Sequence, residues 1–126
     1  MKLDKYTIKS QEVIQKALML ATEHDNQAVE TGHLLKAIMD EGEHAISFLF
    51  RKTGVNENTV RQAVEGIIGS YPKVTGGEPY LSGTASGVLQ KSLTLASKMG
   101  DDYVAVEHLF LSLLNAGDDV SGMMKD

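Results

Sequence analysis

From Thr7 onward the apolar residues Ile8, Val13, Ile14, Ala17, Leu18 and Ala21 recur at the spacing of helical turns, with Lys9, Glu12, Gln15, Lys16 and Glu23 on the opposite face. This amphipathic period predicts a first helix over about 8–24, capped by the Thr7 hydroxyl, which can accept a backbone N–H left free in the first turn. The polar run His24-Asp25-Asn26-Gln27 turns the chain, and Leu34, Leu35, Ile38 and Met39 then define a second helix over about 31–41, closed by Gly42. A third, near 44–52, carries Ile46, Leu49 and Phe50 inward and stops at Gly54. Asn56 can cap a fourth, whose buried stripe is Val60, Ala63, Val64, Ile67 and Ile68 before Gly69 ends it.

Residues 70–81 contain both prolines and an adjacent glycine pair, a composition that excludes a helix and reads as a linker. Beyond it the pattern starts again. Val13, Gln15, Lys16, Leu18, Leu20, Ala21, Val29, His33 and Leu34 return as Val88, Gln90, Lys91, Leu93, Leu95, Ala96, Val104, His108 and Leu109, a constant shift of 75 without a gap. Ser82 takes the place of Thr7, Gly100-Asp101-Asp102 form the turn, and Leu109, Phe110, Leu113 and Leu114 mark the next helix. The expected fold is therefore all-α, with two pseudo-symmetric repeats of a four-helix unit. The first runs over about 5–69 and the second over about 82–126. Counterparts of the third and fourth helices would need about 119–144, so the second repeat is expected to lack its last helix and the chain to be a piece of a longer protein.

Composition narrows the function. The absence of cysteine excludes a disulfide framework, a thiolate nucleophile and a Cys-based zinc site, and suits a reducing cytoplasm. A formal net charge of −5, with acids in both halves, offers no footprint for nucleic acid, and no apolar run has the length of a membrane span. No Gly-Lys pair occurs, so there is no phosphate-binding loop, and no serine sits in a Gly-x-Ser-x-Gly elbow. Glu30 and His33 stand at i and i+3, the spacing of a carboxylate–imidazole metal pair on one helix face, and leave a metal-dependent helical enzyme as one alternative. The second repeat keeps His108 but has Ala105 in place of Glu30, which favours a structural role for both histidines. Met39 and Met99 read as core filling, whereas Met123 and Met124 are expected to be exposed for want of a partner helix.

Leu3-Asp4-x-x-Thr7, Gln15-Lys16-Ala17-x-x-Leu20-Ala21, Val29-Glu30-x-x-His33-Leu34-Leu35-x-Ala37 and Gly100-Asp101-x-x-Val104-x-x-Glu107-His108-Leu109 together resemble the Clp N-terminal domain. Within that family, Tyr71-Pro72-Lys73-Val74-x-Gly76-Gly77 and the opening Lys2-Leu3-Asp4 are most like ClpB-type disaggregases. The resemblance implies a non-enzymatic domain of a cytoplasmic stress-response chaperone, carried in front of AAA+ modules of the same chain. Those modules would hold ATP and magnesium, and this part needs no cofactor. The implied partners are unfolded or aggregated polypeptides and a co-chaperone or adaptor. Docking of an adaptor, as in protease-coupled ClpA or ClpC, is the second alternative. The resemblance also implies substrate-handling roles for Thr7, Asp101 and Glu107, although His108 stands where many ClpB-type domains have an apolar residue. Two packed repeats should leave an apolar cleft along their seam. Its expected floor is Leu89, Leu93 and Leu95, with Tyr80, Leu81 and Tyr103 nearby. Leu20 and Leu95, apolar residues off the main stripe of their helices, read first as core contacts between the repeats and second as part of that cleft.

Overall fold

The computed structural model describes residues 2–125, those at 43–45 by their backbone alone. Seven helices occur among the described residues: α1 (Ile8–Glu23), α2 (Thr31–Glu41), α3 (Glu43–Thr53), α4 (Glu57–Gly69), α5 (Gly83–Lys98), α6 (Val106–Leu114) and α7 (Asp119–Lys125). The three caps expected from hydroxyl and amide side chains all form. Thr7 Oγ1 accepts the Ser10 N–H at 3.1 Å, Asn56 Oδ1 the Thr59 N–H at 3.0 Å, and Ser82 Oγ the Ala85 N–H at 3.0 Å. Each satisfies a backbone donor that the first turn leaves free, a contribution of about 1 kcal/mol. Gly54 ends α3 at φ 74°, a left-handed conformation that glycine takes at no steric cost.

The shift of 75 survives as geometry, since α5 and α6 begin 75 positions after α1 and α2. What periodicity did not predict is how the repeats are joined. Each repeat's lead-in pairs with the interhelical loop of the other. Tyr6 bridges Val104, while β2 (Tyr80–Leu81) lies parallel to β1 (Ala28–Val29) with Leu81 opposite Val29. The Thr7 N–H donates to the Val104 carbonyl and the Ser82 N–H to that of Val29, both at 3.0 Å. The linker is thus free of helix, as expected, but its end is a strand that laces the halves together.

The core follows α2 and α6, which pack on each other while α1 touches α6 and α5 touches α2. Leu34, Leu35, Ile38, Leu109, Phe110 and Leu113 are completely buried there. Phe50 of α3 meets Phe110 edge-on, with centroids 5.2 Å apart and planes at 73°, a favoured arrangement of ring quadrupoles.

Several expected burials need correction. Ile8, assigned to the inner face of α1, is 71% exposed because it opens the first turn beyond the core. Leu18 lies at the edge of that face and is also exposed. Leu20, although off the main stripe, is buried, in keeping with the core contact expected of it. Met39 fills the core as expected, but Met99, the C-cap of α5, is exposed. Met124 is buried and Met123 packs partly against the core, where α7 meets α4 and α6. Among the described residues, no helix is long and apolar enough to cross a membrane.

Candidate functional site

The turns before α2 and α6 are built on one plan. The Glu30 N–H donates to His33 Nδ1 at 2.9 Å, and the Ala105 N–H to His108 Nδ1 at 2.8 Å. An amide can only donate, so each ring is a neutral imidazole with its proton on Nε2. His33 Nε2 donates to Asn26 Oδ1 and His108 Nε2 to Asp101 Oδ2, both at 2.9 Å. Each histidine therefore spans its turn, the structural role that the repeat suggested. Both nitrogens are committed in this arrangement, which leaves His33 without a free lone pair for a metal. Burial, with a smaller contribution from His24, lowers the pKa of His33 from its ordinary 6.5 to about 4.

The second of these turns borders an apolar groove. Between α3, residues 99–105 and the first turns of α6 lies a cavity of about 710 Å³. Phe48, Met99 and Tyr103 form its walls, each more than half exposed, with Leu49 and Leu111 partly buried. Scattered exposed apolar residues are ordinary, whereas here three share one concave surface. Asp101, Asp102 and Glu107 also line the groove, together with Lys52, whose Nζ stands 5.6 Å from the Phe48 ring centroid. Glu107 occupies the first turn of α6, where the helix dipole favours a carboxylate.

Repeat symmetry identifies the equivalent face of the first repeat. In the first repeat the outer face of α2 is covered by α4 and the residues after it. Lys36–Glu65 at 3.3 Å and Asp40–Arg61 at 2.8 Å hold that cover, and the Gly32 N–H donates to the Tyr71 hydroxyl at 3.2 Å. Counterparts of Gly32 and Lys36, shifted by 75, are Glu107 and Leu111, and both line the groove. No counterpart of α4 exists among the described residues. A further depression of about 620 Å³ continues past Thr53 to Val55, Leu114 and Met123.

The structure brings together only part of the expected site. Asp101, Glu107 and Tyr103 meet at the groove. Thr7 reaches the same turn from its other side through Val104, while its hydroxyl serves the cap. Leu89 is buried in the core and forms no floor. Leu93 lines a separate, shallow depression with Lys5 and Asp101, and Leu95 lies half-buried at another with Lys91 and Leu111. Tyr80 and Leu81 belong to the loop of the first repeat, beside Ala28 and Val29. The single cleft expected along the seam is therefore replaced by several surfaces, because the lead-in strands and the α2–α6 core close the seam. Sequence reasoning missed Phe48, Lys52 and Leu111, and took Met99 for core filling. Phe48 carried a usable signal, as a large aromatic off the inward stripe of Ile46, Leu49 and Phe50.

Comparison with known proteins agrees with this architecture. The family model described as the Clp repeat (R) N-terminal domain matches residues 5–125. The chaperone proteins ClpB of Porphyromonas gingivalis and Bacteroides thetaiotaomicron are 45% and 43% identical to the chain over 126 residues, covering all of it. The chain spans about 15% of the length of these relatives. Among solved structures, the Hsp104 N-terminal domain from Candida albicans shares 21% identity at a TM-score of 0.75, covering 97% of this chain and 88% of that one. A ClpV N-domain in complex with a VipB peptide shares 20% identity at a TM-score of 0.76, covering 91% of this chain and 73% of that one. With the doubled helical unit, the shared turn and a family match over nearly its whole length, the chain belongs to the Clp repeat N-terminal domain family.

Proposed function

We propose that this chain is the polypeptide-binding N-terminal domain of a ClpB-type disaggregase, which holds apolar segments of misfolded proteins for AAA+ modules elsewhere in a longer protein. One observation carries the reading: Phe48, Met99 and Tyr103, each more than half exposed, line one concave apolar surface between α3 and α6. Misfolded clients share exposed apolar segments but no sequence, so a shallow groove with adaptable methionine and aromatic walls suits weak, broad capture. The ClpV N-domain that was solved with a VipB peptide supports polypeptide as the ligand class for this fold. In this reading the domain makes and breaks no covalent bond. ATP and magnesium belong to the ring modules, and the protein works in the cytoplasm.

The test is capture of a labelled, permanently unfolded polypeptide by the chain, read by fluorescence anisotropy. Phe48→Ser and Tyr103→Ser should each weaken it by about five- to thirtyfold, the loss of about 1–2 kcal/mol that a contact residue supplies. Both residues are exposed, so thermal unfolding should stay within about a degree or two of wild type. Unchanged capture in both variants would overturn the assignment of the groove.

A further inference from the structure

Residues 71–80 of the linker arch over the loop between α1 and α2 and are pinned to it at several points. The Val74 N–H donates to the Asp25 carbonyl at 2.7 Å, Asn26 Nδ2 to the Pro72 carbonyl at 3.1 Å, and the Tyr80 N–H to the Gln27 carbonyl at 3.0 Å. A Cβ at Gly77 would run into the Gln27 side chain, so the arch comes this close only with glycine there. Between arch and loop remains a cavity of about 190 Å³. Its lining residues all lie between positions 26 and 80, so the first repeat and its linker build it alone.

The lining combines two aromatic rings with one charge. Tyr71 and Tyr80 supply the rings, Pro72 and Val74 add apolar surface, and Glu30 is the charged residue. No basic residue lines the cavity, and among the described residues Glu30 enters no ion pair. Lys73, the basic residue of the arch, is engaged elsewhere, since its Nζ donates to the His24 carbonyl at 3.2 Å. Burial, and then the charges of Asp119, Glu30 and Asp118, push the Tyr71 phenol up to about 12. The phenol therefore stays neutral, in a negative field that the lining does not compensate.

Size and charge together select the ligand. Pockets for drug-sized molecules run to about 300–1,000 Å³, so this one holds a single compact group. A bare metal ion would need several oxygen ligands, and no cluster of three acidic or histidine side chains exists among the described residues. Aromatic faces attract cations through the ring quadrupole, most effectively those whose charge is spread over methyl groups and is weakly hydrated.

We propose that the cavity under the linker binds a small, free alkylammonium ion, its charged head against the Tyr71 and Tyr80 rings and beside Glu30. The linker forms one wall and the α1–α2 loop the other, so the bound cation ties the two together. The site is separate from the groove of Phe48 and Tyr103 and does not depend on the polypeptide-binding reading.

Choline is the probe, titrated against the chain and followed by amide and aromatic NMR. Its uncharged isostere, with a tert-butyl group in place of trimethylammonium, is the control. Choline should shift the ring signals of Tyr71 and Tyr80 and bind at least about tenfold more tightly than the isostere. Tyr80→Ala and Glu30→Gln should each weaken it by about three- to tenfold, whereas Tyr80→Phe, which keeps the ring, should stay within about twofold of wild type. Tyr80 is exposed, and glutamine at position 30 keeps the backbone N–H that holds His33, so both weakened variants should still fold. A blocked lysine, whose primary ammonium is more strongly hydrated, should bind more weakly than choline. Equal binding of choline and its isostere, or choline binding unchanged in both Tyr80→Ala and Glu30→Gln, would overturn the site. Tighter binding of the blocked lysine would overturn its assignment to a free alkylammonium ion.

Discussion

Phe110→Ala should lower the unfolding free energy by about 3–5 kcal/mol, the cost of emptying a fully buried aromatic site. Phe110 is completely buried on α6 and meets Phe50 of α3 edge-on, so it joins the second repeat to the first as well as filling its own. The site cannot collapse easily, because α6 also packs against α1, α2 and α7. A domain of this size has about 5–15 kcal/mol in all, so the variant sits close to its unfolding threshold at ambient temperature. Urea denaturation measures the loss directly. If the two repeats were independent folding units, the variant would show two transitions, with the first repeat unchanged. The laced lead-in strands argue for one transition, in which both halves lose stability together. A loss below about 1.5 kcal/mol would contradict this account of the interface.

The helices were legible because each carries its own local instruction. Thr7, Asn56 and Ser82 can satisfy free N–H groups, Gly54 can stop a helix, and apolar residues repeat at the helical period. Nonlocal facts were not legible in the same way. Val29 and Val104 looked like equivalent apolar residues in equivalent loops, but nothing in their own segments says that each pairs with the other repeat's lead-in. The expected groove was misplaced for a related reason. Leu89, Leu93 and Leu95 were judged by helical face alone, whereas burial depends on what lies opposite, and for Leu89 that is the core. Asp101 and Glu107 were found through a family resemblance rather than through physics. Set against Asn26 and Gly32, the residues that hold the linker in the first repeat, they place two carboxylates at the second turn.

Acidification from pH 7.5 to 4.5 should cost the wild-type chain about 2–3 kcal/mol more than a His33→Gln variant. His33 is completely inaccessible, and burial holds its pKa down at about 4 against 6.5 for the exposed side chain. Above about 6.5 the imidazole is neutral in both folded and unfolded chains, and its contribution to stability is fully present. As the pH falls below that value the unfolded chain takes up a proton that the folded chain refuses. Stability then drops by about 1.4 kcal/mol per pH unit until the folded imidazole itself protonates near 4. The penalty has a clear structural origin. Protonating Nδ1 would oppose it to the Glu30 N–H, breaking the bond that fixes the start of α2, while Nε2 continues to donate to Asn26. Asn26 in turn holds the Pro72 carbonyl, so protonation of one ring loosens the α1–α2 turn and the linker laid across it. Glutamine carries no titrating group, and the carboxylates common to both proteins cancel in the comparison. Urea midpoints at the two pH values give the difference, and the ring resonances of His33 should keep their neutral shifts at pH 5. Equal acid sensitivity in the two proteins, or titration of His33 near 6.5 in the folded chain, would refute the buried neutral imidazole.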